Sequence, residues 1–179
     1  VVADSSKVGN PCDAATGNKL HSETDFAGGF GIPSFQRFYN SLSTRDDGLG
    51  TGWSHSLNKR LLIAATQIQY VGGNGSVITF TKSGSSWVAG ADIHAHLTVS
   101  NGYYTITSTD GSIEVFNPKG LPVTDTDPRG LVTTYVFSDD GFLQSVTGPF
   151  GHKITLTWYG TGLTTATFPD GSWVKFVRD

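Results

Sequence analysis

Glycine recurs at nearly even intervals through the second half of the chain, and that spacing constrains the fold more than any other feature. From Gly111 the sequence divides into Gly111–Gly130, Gly130–Gly151 and Gly151–Gly171, with a fourth unit opening at Gly171. Each unit follows one grammar. An alternating stretch carries an aromatic near its end (Phe116, Phe137, Trp158, Phe176), and a glycine turn follows at Gly120, Gly141 or Gly162. A second apolar stretch then begins at Leu121, Phe142-Leu143 or Leu163, and a Pro-x-Gly corner returns the chain at Pro128, Pro149 or Pro169. Two strands of about six residues plus two turns need about twenty residues, which matches the interval. A single hairpin cannot cover its own apolar face, so such units must lean on their neighbours.

Alternation of side chains favours strands over helices. Ile154, Leu156 and Trp158 share one face, and Thr155, Thr157 and Tyr159 share the other. Ile113 and Val115 oppose Glu114 and Phe116 in the same way. Asn74-Gly75, Asn101-Gly102 and Asp110-Gly111 mark turns, so 60–81 and 103–117 read as further strands of one sheet. Lys59–Ala65 could be a helical turn, but strand is the better reading. Residues 1–57 are rich in Gly, Pro and Asn and show no repeat, apart from a short strand expected over Ser34–Tyr39. The expected fold class is all-β: antiparallel hairpins stacked as a sheet or solenoid over 58–179, with an irregular amino-terminal cap over 1–57.

Composition narrows the function. Charged residues are 15% of the chain and the net charge is -3, so the basic footprint of a nucleic-acid binder is missing. No apolar run approaches the ~18 residues of a membrane span. Cys12 is the single cysteine and cannot form an internal disulfide; its setting, Asn10-Pro11-Cys12-Asp13, fits no nucleophile signature. The chain opens on Val1 without Met and closes inside an apolar alternation, so it reads as an excised segment that further units would follow. An open edge over Val174–Val177 is expected to pair with a second copy.

Few residues suggest chemistry. Arg37, Tyr39 and Trp53 are the binding candidates, because Arg stacks on aromatic faces; the same trio also serves as a structural corner. Asp92, His94 and His96 would share one face of a strand and could approach a metal, yet no partner motif accompanies them, and no metal or cofactor is expected. Asp46-Asp47, Asp125 with Asp127, and Asp139-Asp140 sit beside Gly or Pro, where Asp braces turns through its own backbone. His21, His55 and His152 read as structural or surface residues. No Ser-His-Asp spacing or nucleophile elbow is present, and no catalytic residue is assigned.

The twenty-residue unit resembles the Rhs and YD-repeat family, whose repeats run G-x-x-x-x-Y-x-Y-D-x-x-G-x-L-x-x-V-x-x-P-x-G. Tyr135, Phe137, Asp139, Gly141, Leu143, Val146, Pro149 and Gly151 fall on that pattern, with Phe137 in place of the second Tyr. The amino-terminal half is similar to the segment preceding those repeats, through Gly9–Lys19, Glu23–Phe26, Phe35–Ser41 and Gly48–Leu57. The resemblance implies a secreted or surface bacterial protein. Its repeats would form part of a hollow β shell that encloses a carboxy-terminal toxin, delivered in many members by type VI secretion during interbacterial competition. The implied partners are the rest of the shell and that toxin. The self-cleaving aspartyl site of some members has no counterpart here, and no enzyme activity is expected. The alternative function is a carbohydrate-binding or adhesive module stacking sugars on Tyr103, Tyr104, Trp53 or Trp87.

Overall fold

The computed structural model describes residues 17–177 together with the backbone of two short strands, β1 (Lys7–Val8) and β2 (Cys12–Asp13), which pair with each other. The Gly9–Lys19 block, which carries part of the resemblance, and the side chain of Cys12 fall largely outside the described residues. All regular structure among the described residues is β, and no helix among them is long and apolar enough to cross a membrane.

A three-stranded antiparallel sheet forms the cap: β3 (Leu20–Phe26), β4 (Phe35–Asn40) and β5 (Trp53–His55), in the order β3-β4-β5. The remaining strands make one thirteen-stranded meander in which every strand pairs with its sequence neighbour. They are β6 (Arg60–Ile63), β7 (Gln67–Val71), β8 (Val77–Ser83), β9 (Ser86–Val88), β10 (Ala95–Ser100), β11 (Tyr103–Ser108) and β12 (Ile113–Phe116). They continue with β13 (Pro122–Thr126), β14 (Val132–Phe137), β15 (Leu143–Thr147), β16 (Lys153–Tyr159), β17 (Gly162–Thr167) and β18 (Trp173–Lys175). Lys59–Ala65 is therefore strand at its centre. The sheet alternative holds over the solenoid, because the ladder is unbroken from β6 to β18.

One turn recurs throughout. At Asn117–Leu121 the Gly120 N–H donates to the Asn117 carbonyl (2.8 Å), and the Asn117 N–H donates to the Leu121 carbonyl (2.9 Å). The same pair of bonds closes the turns at 72–76, 108–112, 127–131, 138–142, 148–152 and 168–172. Each is a type I turn followed by a left-handed glycine, which forms a bulge and matches the strand twist. This corrects the sequence expectation: the Pro-x-Gly segments are not corners distinct from the glycine turns. Pro128, Pro149 and Pro169 occupy the second turn position, where φ near −65° is required, so they make the same hairpin as the turns at Gly120 and Gly141, whereas the turn expected at Gly162 runs through Gly160-Thr161 and Gly162 already belongs to β17. Two-residue turns also occur, at Asn101-Gly102 (φ of 51° and 80°), at Gly84-Ser85 between Ser83 and Ser86, and at Gly160-Thr161 between Tyr159 and Gly162.

A second irregularity keeps the repeat. The ladder register shifts at Val115/Phe116, Val136/Phe137 and Thr157/Trp158, at the aromatic that ends the first strand of each unit. A bulge bends its strand and increases local twist, so each repeat adds a bend at an equivalent place.

The first half of the meander curls on itself. Flat strands spaced about 4.8 Å would hold β6 and β12 about 29 Å apart. Instead the Leu61 N–H of β6 donates to the Gly120 carbonyl in the turn after β12, over 2.8 Å. The curl is filled by one core residue each from β6, β7, β8, β10, β11 and β12: Leu61, Ile68, Phe80, Leu97, Ile106 and Phe116. A second core lies under the cap, where Phe35 and Leu57 pack with Leu143, Val146, Ile154, Leu156, Leu163, Ala166 and Phe168. Phe26 stacks on Phe168 (4.9 Å, 8°), so the cap sheet is seated on β15–β17 by aromatic faces. β18 is the terminal strand of the order, with a ladder on one side only.

Candidate functional site

The charge concentrated inside the fold lies between the two cores. Glu114 faces inward because it pairs with buried Ile106 across β11–β12, and its register partner on the next strand is Asp125. Both carboxylates converge on one ammonium. Lys59, immediately before β6, contacts Glu114 Oε1 through Nζ and lies 2.5 Å from Asp125 Oδ2. Only 10% of the Lys59 side chain is exposed. The Tyr135 hydroxyl donates to Asp125 Oδ2 at 2.6 Å, and the Tyr70 hydroxyl approaches Glu114 Oε1 at 3.4 Å. Lys59 Nζ also sits 5.3 Å from the Tyr135 ring centroid. Burial, followed by the neighbouring carboxylates, pushes both phenols well above their usual range, so they act here as hydrogen-bond donors. Asp125 Oδ1 is buried and has no partner.

This arrangement corrects the reading of Asp125 as a turn residue. Asp127 does brace its turn, accepting from the backbone N–H groups of Arg129 (2.8 Å) and Leu131 (3.0 Å), and these bonds hold its carboxyl below the usual range. Asp125 sits two residues earlier on β13 and points to Lys59. Lys59, Glu114, Tyr70 and Tyr135 are not among the site residues that the sequence suggests. One signal was present: Glu114 occupies the same alternation face as Phe116, where a lone charge must be paired.

The expected trio of Arg37, Tyr39 and Trp53 is brought together on the cap sheet. Tyr39 and Trp53 are register partners with ring centroids 5.2 Å apart, and the Arg37 guanidinium lies 5.4 Å from both the Trp53 and the Phe176 rings. Arg37 is committed to its own strand neighbours, however. It makes a two-point contact with Asp25 (Nε–Oδ2 2.6 Å, Nη2–Oδ1 2.9 Å) and a further contact with Glu23. Those bonds to Asp25 raise its pKa. Tyr39 and Trp53 help line a groove of about 470 Å³ between the cap and the β7–β8 turn. Of the other aromatics, Trp87 and Tyr104 pack against the first core and Tyr103 is exposed on β11, so the four do not form one platform.

The Asp92/His94/His96 face does not form. Only His96 lies in β10; Asp92 and His94 precede it in the loop, and all three are exposed. No group of three or more His, Cys, Asp or Glu among the described residues is arranged to hold an ion. Asp46 braces its loop by accepting from the N–H groups of Gly48 (2.9 Å) and Gly50 (3.1 Å), whereas Asp47 is buried and binds Arg45 and Arg60. His55 is fully buried against Phe35 (5.1 Å), with Nδ1 unpartnered, and burial lowers its pKa to about 4. It lines a cavity of about 290 Å³ at the junction of cap and meander, with Asp47, Arg60, Phe137 and Trp158.

Residues 9–80 match a family described as a domain of unknown function (DUF6531). The matched stretch covers the cap and continues into β8, past the 57/58 boundary expected from the repeat. No curated protein matches the chain.

Proposed function

We propose that this chain is a wall segment of an Rhs/YD-repeat-type shell that encloses a carboxy-terminal toxin and carries it in competition between bacteria. The observation that carries the reading is the unbroken meander in which one turn and one aromatic bulge recur about every twenty residues. A sheet built by adding the same hairpin extends without a new fold at each step. The regular bend at each bulge gives such a sheet curvature, which a wall around cargo needs. The sequence resemblance supports the secreted or surface location and the toxin partner.

The role is structural and not enzymatic. The interior charges support this, since they hold strands together: Lys59 ties the start of the meander to β12 and β13, remote in sequence, and Arg37 ties β4 to its neighbour β3. The carbohydrate-binding alternative has less support, because its aromatics are dispersed over the cap and the first half of the meander.

The test uses the full natural polypeptide that carries these residues. Under limited proteolysis its carboxy-terminal segment should survive until denaturant opens the shell. Cleavage as fast as that of the isolated segment would overturn the proposal.

A further inference from the structure

We propose that Lys59 and Asp125 form an intramolecular isopeptide bond, with Glu114 as the proton relay. The reacting groups are already in place. Lys59 Nζ lies 2.5 Å from Asp125 Oδ2 and also contacts Glu114, so one nitrogen is held between an electrophile and a base. Groups fixed at such contact react as if at very high concentration, with effective molarities of about 10⁵–10⁸ M.

Surroundings favour the covalent product over the ion pair. The Lys59 ammonium is largely withdrawn from water between two apolar cores, with Tyr135 and Tyr70 beside it and Phe116 next to Tyr70 (6.0 Å). Desolvation penalises charges far more than the neutral amine and carboxylic acid that must meet for amide formation. Asp125 Oδ1, buried without a partner, adds to the cost of the anion; a neutral amide carries less charge on that oxygen.

The two carboxyls are not equivalent. Asp125 Oδ2 accepts a 2.6 Å bond from the Tyr135 hydroxyl, which polarises the carboxyl as an electrophile. Glu114 receives no such short bond from a phenol, Tyr70 standing 3.4 Å from the same Oε1 that contacts Lys59, so it is placed to carry a proton away from Nζ. The step balances without any other reagent. Glu114 accepts a proton from the Lys59 ammonium and passes it to Asp125, and the neutral Nζ attacks Cγ. The tetrahedral adduct loses a second nitrogen proton, through Glu114, to the departing oxygen. The Nζ–Cγ bond forms, the Cγ–Oδ2 bond breaks and one water leaves.

The placement suits a clamp. The bond would close a chain separation of 66 residues, from the entrance of the meander to β13, beside the Leu61–Gly120 contact. A link across so long a loop restricts the unfolded chain and ties the curl shut.

Intact-mass spectrometry of the purified 179-residue protein is the test. The expected mass is the sequence mass less one water, with a branched Lys59–Asp125 peptide after digestion. Glu114→Gln and Lys59→Arg should keep the full sequence mass while retaining the wild-type circular dichroism. Asp125→Asn should still link, now losing one ammonia, which keeps the test valid if another variant fails to fold. A folded wild-type protein at its full sequence mass would overturn the proposal. So would a link to Glu114, or an undiminished yield of the link in Glu114→Gln.

Discussion

The Leu61 N–H donates to the Gly120 carbonyl over 2.8 Å, joining the first strand of the meander to a turn six strands further along the sheet. The contact depends on the absence of a side chain at 120. Gly120 has φ of 77°, and a methyl built there would overlap the Leu61 carbonyl oxygen. Gly120→Ala should therefore cost about 3 kcal/mol or more, combining left-handed strain with a backbone clash. Gly130 has a similar φ of 83° but open space around it, so Gly130→Ala should cost only about 1–2 kcal/mol. Urea denaturation of the two variants measures the difference; equal losses would mean that the curl is not closed at this point.

Arg37 holds β3 to β4 through its two-point contact with Asp25, whose side chain is 10% exposed. Lysine keeps the charge and loses the fork. Arg37→Lys should lower stability by about 1–2 kcal/mol, and Arg37→Ala by about 3 kcal/mol because Asp25 is then left unpaired. If both variants melt with the wild type, the trio with Trp53 is free for binding instead of holding the cap together.

Much of this architecture was legible beforehand, for a physical reason. Strand periodicity is local, and a turn that needs positive φ must be marked by glycine, so Gly111, Gly130, Gly151 and Gly171 announce the hairpins on their own. The identity of the Pro-x-Gly and glycine turns was hidden, since proline at the second position changes the sequence without changing the hydrogen bonds. The Lys59 cluster was hidden more deeply. Its members stand 55 and 66 residues from Lys59, and only the curl of β6 onto β12 brings them together. Asp125 looked like Asp127, two residues away, because position beside a turn does not reveal which way a strand side chain points.

His55 should make the protein acid-sensitive. Its folded pKa is lowered to about 4 from an ordinary 6.5, so below pH 6.5 the unfolded chain takes up a proton that the folded chain refuses. Stability then falls as pH drops from 6.5 towards 4, by roughly 3 kcal/mol in all, and levels off for this group below that. His55→Phe removes the titration while keeping a ring against Phe35. Urea midpoints between pH 7 and pH 4.5 should slope for the wild type and flatten in the variant; parallel slopes would assign the acid sensitivity elsewhere. The turn carboxylates Asp110, Asp127 and Asp170, lowered from 3.8 by hydrogen bonds, lose their contribution only at still lower pH.

Phe35 is fully buried and joins the cap to Phe168 (5.9 Å) and Phe176 (6.1 Å). Phe35→Ala should cost about 3–5 kcal/mol. If the cap and the meander fold as one unit, hydrogen exchange should rise together in β4 and in β15–β17. Increased exchange confined to β3–β5 would show that the meander stands without its cap.

The central claim is that these hairpins are part of a curved wall around a cargo. An electron-cryomicroscopy map of the full natural polypeptide tests it most directly. The account predicts β18 paired on its outer side to another strand of the same sheet, with the concave side of the extended sheet facing density for the carboxy-terminal segment. A sheet that stops at β18, with that segment lying outside in solvent, would contradict it.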